Sequence, residues 1–303
     1  MNEAPTLDPH KITLPTGMRI AGSLPPFSLG ICSHQPERVK EAVFHWQRGL
    51  SDLQKEVPTL VVNPPSMAVG YNQILEKCAT EYLILSHHDA GPFPLPNYLC
   101  GKRLLERMNG VDLLGFAGAS RVIGPRWFDS IAHSFGGVCN FPADPPGKTA
   151  TPEEAMMRAV GFRVCNTSVW GRPARRVFNI RTMDGYCLVV NVASARKIMF
   201  DESLNPGGFH GYDQDFCMAC YAAGLKTAVC CDIYISHNST GSYFQEKWAE
   251  HIQPFLKKWK GRFDGVITGV GKSAVGYGSG DARLVLLTLQ EEEQLMQEDV
   301  VAP

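Results

Sequence analysis

The chain of 303 residues carries 29 Lys and Arg against 30 Asp and Glu, with 44% hydrophobic and 19% charged residues. That is enough for one large α/β domain or two small ones, and the formal net charge of -1 excludes the broad basic excess of a protein that lives on nucleic-acid phosphates. No apolar run reaches the about 18 residues that span a bilayer, residues 1–22 carry no export-signal pattern, and the ten irregularly spaced Cys read as reduced thiols, so a cytoplasmic protein is expected.

Residues 1–26 lack periodicity and read as an extended lead-in. A strand is expected over residues 27–32. Ser33, His34 and Gln35 then turn into a helix with Pro36 at its first position and Val39, Val43, Trp46 and Leu50 on one face. Residues 59–62 read as a second strand and 63–66 as a turn. Tyr71, Ile74, Leu75 and Cys78 mark a second helix. The buried strand over 82–85 stops at His87, His88 and Asp89. Gly91, Pro92, Pro94 and Pro96 then break the chain. Leu99, Leu104, Leu105 and Met108 predict a third helix, and 111–117 a further strand. This alternation predicts a doubly wound sheet.

Residues 118–176, rich in Gly, Pro and Arg, read as a long functional loop. A strand over 187–192, a short helix over 194–198 and a turn over 205–211 follow. The next helix carries Phe216, Ala219, Cys220 and Ala223 and closes on Gly224. A strand is expected over 227–235 and a helix over 243–259. Residues 261–281 are a Gly-rich linker, and the tail over 282–298 reads as a docking helix. No internal repeat is present.

Three element ends carry chemistry. Asp89 ends a buried strand, where open α/β sheets bind ligands, and a carboxylate there holds a cation bridging a diphosphate; the alternative is an Asp capping the following turn. His87 and His88 beside it read as supporting or as simply exposed residues. Asp213 and Asp215 follow Gly207, Gly208 and Gly211 at a helix mouth. One acid suffices as an N-cap, which leaves the other to deprotonate a hydroxyl, and Asp213 suits that task. His237 ends an apolar run and reads as a metal ligand or phosphate donor, next to Ser239 and Thr240. Together these ends suit a divalent metal and a phosphorylated substrate.

Two other patterns are discounted. Gly269 to Ser273 looks like a phosphate loop, but Val266 stands where its first Gly belongs. Cys217, Cys220, Cys230 and Cys231 suggest zinc, yet the second pair lies within a strand, whose successive side chains point to opposite faces.

Over much of residues 27–245 the chain resembles the glycosyltransferase family 2 type with the GT-A fold, closest to its StrF-like branch. The residues that carry the resemblance are Tyr71 and Asn72; residues 82–85 running into His88 and Asp89; Asp184 to Leu188; Phe200 to Glu202; Phe209 to Asp215; and Ser236 to Ser239. The resemblance implies an open, mostly parallel twisted sheet flanked by helices. One domain over 27–260 would have a Rossmann-like nucleotide-binding half over 27–117 and an acceptor half over 118–260, with 261–303 as linker and tail. Asp89 would match the last acid of the family's Asp-x-Asp metal motif, whose first position here is His87. His237 would complete the coordination of Mn2+ or Mg2+. Asp213, with Asp215 beside it, would form the catalytic acid pair, and Tyr212 stands where the family has Glu. Ser33, His34, Asn72, His88, Asp89, Asp184 and Gly185 would meet the donor, a nucleoside-diphosphate sugar.

The implied activity is an inverting, metal-assisted transfer to an acceptor hydroxyl. Three other readings are kept beside it: a non-catalytic nucleotide-sugar binder, suggested by His87; a transferase acting on a modified nucleic-acid base, suggested by Arg172, Arg175, Arg176 and Arg181; and a nucleotidyltransferase. The last needs a Gly-rich, Arg-bearing loop straight after the first strand, and Ser33 to Pro36 is not one.

Overall fold

In the computed structural model the described residues are 24–93, 99–129, 131–140, 166–171, 174–204, 206–239, 246–264 and 299–301. They open with two parallel crossovers: β1 (Phe27–Cys32), α1 (Pro36–Gly49), β2 (Thr59–Val62), α2 (Met67–Lys77) and β3 (Tyr82–Ser86). Both β2 and β3 pair with β1 in parallel, which is why a helix must carry the chain back each time. Pro36 starts α1, where its missing N–H costs nothing, and Ser66 caps α2 by accepting from the Val69 N–H at 3.4 Å.

The chain continues through β4 (Ala90–Pro92), α3 (Gly101–Met108), β5 (Leu113–Gly115), β6 (Ala117–Ala119), β7 (Ser134–Asn140), β8 (Asn166–Trp170), β9 (Arg176–Phe178), β10 (Thr182–Met183) and β11 (Cys187–Asn191). It closes with α4 (Val192–Ile198), α5 (Tyr212–Ala222), β12 (Thr227–Cys230), β13 (Ile235–His237), α6 (Glu246–His251), α7 (Gln253–Lys258) and β14 (Asp299–Val301). Eight strands form one sheet in the order β14-β9-β12-β5-β11-β3-β1-β2. Its parallel junctions outnumber the antiparallel ones by four to three, so the expected α/β sheet is mixed in direction.

Alternation along the central strands sorts the core into two layers. Tyr82 and Ile84 of β3, and Cys187 and Val189 of β11, pack with Trp46 of α1 and Leu104 of α3. Leu83, Leu85, Leu188 and Val190 pack with Tyr71 and Ile74 of α2, Ala195 of α4 and Phe216 of α5. A strand buried on both faces reads as a continuous apolar run. Cys220 lies in the second layer and Cys230 in the first, so the cysteines are core residues rather than one metal site.

Four expectations are corrected. Residues 111–117 are not one strand: β5 belongs to the large sheet and β6 to a second, smaller one, ordered β10-β6-β7-β13-β4 with β8 on β7. The chain changes sheets at Phe116, beside Gly115, where a Cβ would lie 2.7 Å from the Met183 sulfur. Residues 227–235 also divide: β12 ends at Cys230 and β13 starts at Ile235, and between them the Asp232 carboxylate takes the buried Arg107 guanidinium at 2.7 Å. About half of the described part of 118–176 is strand rather than loop. The helix expected over 243–259 is two, α6 and α7, with Pro254 at the start of the second, where its ring does not fit an uninterrupted helix. The Gly269 to Ser273 stretch and the tail over 282–298 lie outside the described residues, and Asp299–Val301 pairs with β9 as an edge strand.

Candidate active site

The parallel start of the fold sends the chain past the carboxyl ends of β1 and β3 on the same edge, where open α/β sheets bind ligands. After β3 a tight turn follows, with the Ala90 N–H donating to the His87 carbonyl at 3.2 Å. The turn is pinned from beneath. Trp46 Nε1 donates to Ser86 Oγ at 3.1 Å, and that hydroxyl donates to the carbonyl of His87 at 3.0 Å. Asp89 and His87 are thereby projected from a rigid support.

His237 arrives from the small sheet. In the antiparallel β13–β4 ladder His237 stands opposite Ala90, next to Asp89, and the Asn238 N–H donates to the Asp89 carbonyl at 2.9 Å. Its ring stacks on Tyr186 with centroids 5.1 Å apart. Its Nε2 lies 3.6 Å from Asp89 Oδ1 and 3.3 Å from His87 Nδ1. Ligand atoms of His87, Asp89 and His237 all fall within 4.8 Å of one another, the one such group among the described residues. Burial, then the neighbouring His237, lowers the His87 pKa to about 4, so at neutral pH its imidazole is neutral, the form that binds metals. Two imidazoles and a carboxylate converging in this way fit a divalent cation.

A second arm of the site comes from β11, which runs antiparallel to β3 and so begins at the same edge. Just before it, Asp184 accepts from Trp127 Nε1 at 2.9 Å and from the Tyr186 N–H at 3.3 Å. Gly185 follows and donates its N–H to Asp213 Oδ2 at 2.8 Å. A Cβ on Gly185 would sit 2.6 Å from Asp213 Cβ and from the Tyr212 hydroxyl, so only glycine allows this approach. Asp213 is 8% exposed, and its carboxyl is pushed up to about 7 by burial and then by the negative charge of Asp184. Neither acid is the N-cap of α5; that position is Gly211, at φ 77°.

The other expected residues separate. Asp215, expected beside Asp213 in catalysis, is 2% exposed and binds Lys258 Nζ at 2.8 Å and Trp259 Nε1 at 2.7 Å, a structural engagement. Asn72, expected near the donor, is 6% exposed with its amide consumed: Nδ2 donates to the Phe200 carbonyl at 2.9 Å and to Glu202 Oε1 at 2.8 Å, and Oδ1 accepts from the Phe200 N–H at 2.8 Å. It staples α2 to the segment before α5. Ser33 accepts from the Gln35 N–H at 2.9 Å and lies 2.6 Å from His88 Nδ1, which joins the ends of β1 and β3; His34 is exposed. Two residues were missed. His87 joins the cluster, and its place two before Asp89 was the signal. Arg38, in the first turn of α1, brings a half-exposed guanidinium to 3.9 Å from Asp89 Oδ2.

Two of the four arginines that suggested nucleic acid are engaged within the fold. Arg176 binds Asp299 at 2.6 Å and the carbonyls of Arg107 and Asn109, and Arg181 binds Asp264 and the Arg262 carbonyl. Arg172 lies outside the described residues. Among the described residues no helix is long and apolar enough to cross a membrane.

No family model and no curated protein matches the chain by sequence. Among solved structures it is similar to a mannosyltransferase from Pyrobaculum calidifontis in complex with GDP-Man and Mn2+, at a TM-score of 0.44 and 11% identity over 77% of this chain and 64% of that one. It is similar to S. aureus TarS at a TM-score of 0.40 and 14% identity over 74% and 38%, and to A197 from STIV at 0.37 and 11% over 70% and 85%. The chain thus spans less than two thirds of the mannosyltransferase and of TarS.

Proposed function

We propose that this edge is the donor site of a metal-assisted glycosyltransferase that moves a sugar from a nucleoside-diphosphate sugar to an acceptor hydroxyl with inversion. The observation that carries the reading is the meeting of the His87, Asp89 and His237 cluster with the Asp184 and Asp213 arm at the carboxyl ends of β1 and β3. His87, Asp89 and His237 would hold a dication, which when bound offsets negative charge on a departing diphosphate. Arg38, with its charge toward the same place, would add to the diphosphate contact.

Asp213 has the properties of the base. A carboxyl whose pKa stands near 7 takes a proton from a hydroxyl far more readily than an ordinary one, and at neutral pH a good fraction is already ionised. The acceptor oxygen forms its bond to the anomeric carbon as the bond from that carbon to the diphosphate oxygen breaks. The bonding pair leaves with the nucleoside diphosphate, and the acceptor proton passes to Asp213. Asp184, fixed by Trp127 and the Tyr186 N–H, would orient the sugar and hold up the affinity of Asp213 for a proton.

The test is a melting-temperature panel of nucleoside diphosphates and their sugar conjugates, with and without Mn2+, followed by assay of donor hydrolysis. A shift for one nucleotide that needs the dication and is lost in Asp89→Asn, with slow donor turnover, is the expected result. Nucleotide binding without turnover under any acceptor would turn the reading to a non-catalytic binder. No shift with any nucleotide would end it.

A further inference from the structure

Resting on the reading of this cleft as a metal-assisted donor site, we propose that its cation is a nitrogen-preferring transition-metal ion, in the order Zn2+, Co2+, Mn2+ and last Mg2+. His87 is a third protein ligand beside Asp89 and His237, and Tyr212 is the positioning residue that aims His87.

The spacing of the donor atoms is the first argument. His87 Nδ1 and His237 Nε2 are 3.3 Å apart, and His237 Nε2 and Asp89 Oδ1 are 3.6 Å apart. A tetrahedral ion with bonds of about 2.0–2.1 Å puts its ligand atoms about 3.3–3.4 Å from one another. A near-ideal octahedral Mg2+ with bonds of about 2.0–2.1 Å puts adjacent ligand atoms about 2.8–3.0 Å apart. Donor chemistry points the same way. Imidazole suits Zn2+ and its neighbours, whereas Mg2+ keeps oxygen ligands and gives up water reluctantly. A Mg2+ site has no use for two histidines out of three ligands.

Tyr212 supplies the second argument. Its hydroxyl lies 2.8 Å from His87 Nε2 and 3.4 Å from the Gly185 carbonyl, to which it donates. In the tautomer that would serve a metal, the Tyr212 oxygen accepts the Nε2–H of His87. That leaves the Nδ1 lone pair of His87 facing His237 and Asp89. Metal-binding histidines are commonly held in this way, with the far nitrogen donating to a fixed acceptor. The Tyr212 ring is buried and meets Tyr71 edge-on at 5.7 Å, so packing places the hydroxyl. The missing Cβ of Gly185 leaves it room.

The experiment uses the full chain, stripped of metal and without nucleotide. Co2+ is titrated and its visible d–d bands followed, since tetrahedral Co2+ absorbs strongly, and Zn2+, Mn2+ and Mg2+ are then competed against it. The expected result is intense tetrahedral bands, with Zn2+ and Co2+ bound at least about 100-fold more tightly than Mg2+. Tyr212→Phe keeps the ring and should weaken Co2+ about 10- to 100-fold. His87→Asp should reverse the preference toward Mg2+ and Mn2+, which a merely structural His87 would not do; it also carries the test if Tyr212→Phe fails to melt cooperatively.

Equal binding of Mg2+ and Zn2+, no cation binding by folded protein, or a Tyr212→Phe that binds Co2+ like the parent would overturn the proposal. A nucleoside-diphosphate panel in separate tubes keeps the two readings distinguishable. Selective cation binding with no nucleotide recognition would sink the transfer reading and leave this one. Nucleotide binding supported equally by Mg2+ and Zn2+ would do the reverse.

Discussion

Two acids stand two residues apart at the start of α5, and they meet different parts of the molecule. Asp213 faces the sheet edge, where it takes the Gly185 N–H and feels the charge of Asp184. Asp215 faces the C-terminal helices, where Lys258 and Trp259 bind both of its oxygens. The cause is helix geometry: a step of about 100° per residue sends positions two apart to nearly opposite sides. Similar burial with dissimilar partners leaves one carboxyl with a raised proton affinity and ties the other to a Lys and a Trp. Sequence proximity had grouped them; the turn of the helix separates them.

The largest expected effect tests that division directly. Asp213→Asn should lower transfer about 10²- to 10⁴-fold, the usual contribution of a positioned base, while donor binding read from the melting shift persists. Asp215→Asn should hold turnover within a few-fold once the protein is compared at a temperature where it is folded. Equal losses of turnover in both variants would break the comparison.

The next effect is on stability and runs the other way. Lys258→Met leaves the Asp215 side chain, 3% exposed, without its cation and should cost about 3 kcal/mol in urea unfolding. Trp259 and the solvent that reaches Lys258, which is 35% exposed, soften the loss. Adding Asp215→Asn to Lys258→Met should restore part of the lost stability, because no charge is then left buried. A double variant less stable than the Lys258 single would show that Asp215 is not the group left exposed by the change.

What the sequence made legible follows from length and burial. β1 and β3 are mostly apolar because they are covered on both faces, and α1 and α2 show their periodicity because one face of each is wet. The turn after β3 was legible as the end of a buried strand for the same reason. The small sheet was not. Its strands are two to seven residues long, Gly91, Gly118, Gly136 and Gly137 lie in them, and their partners are far away in sequence. The pairing of β13 with β4, residues 237 and 90 at its end, is what delivers His237 to Asp89, and no local pattern encodes it. Asn72, placed near the donor by the resemblance alone, bonds the Phe200 backbone 128 residues on, a partner that no local pattern shows. His87 falls within the cluster although the family resemblance puts an acid at its position.

The effect that is smallest per step, read for each pH unit, separates Asp213 from the histidines that surround it. Its carboxyl rises from an ordinary 3.8 to about 7 in the folded protein. Between those values the native state keeps a proton that the unfolded chain has lost. The stability it contributes is therefore full below about pH 4 and declines as pH rises, by up to about 1.4 kcal/mol per pH unit, until the decline ends near pH 7. His87 and His210, both lowered to about 4 by burial first, act oppositely. Between about pH 4 and 6.5 the unfolded chain takes up protons that these native rings refuse, so their contribution grows with pH. In the parent protein the two rings outweigh the one carboxyl over this range, so a bare stability curve would hide its decline. The difference between parent and Asp213→Asn, measured in chelator by urea unfolding from pH 4.5 to 8, removes the histidines from the comparison. It should shrink steadily with pH and level off near pH 7. Parallel curves would mean that the carboxyl titrates normally in the fold, and Asp213 would then have no more claim than Asp215 to the acceptor's proton.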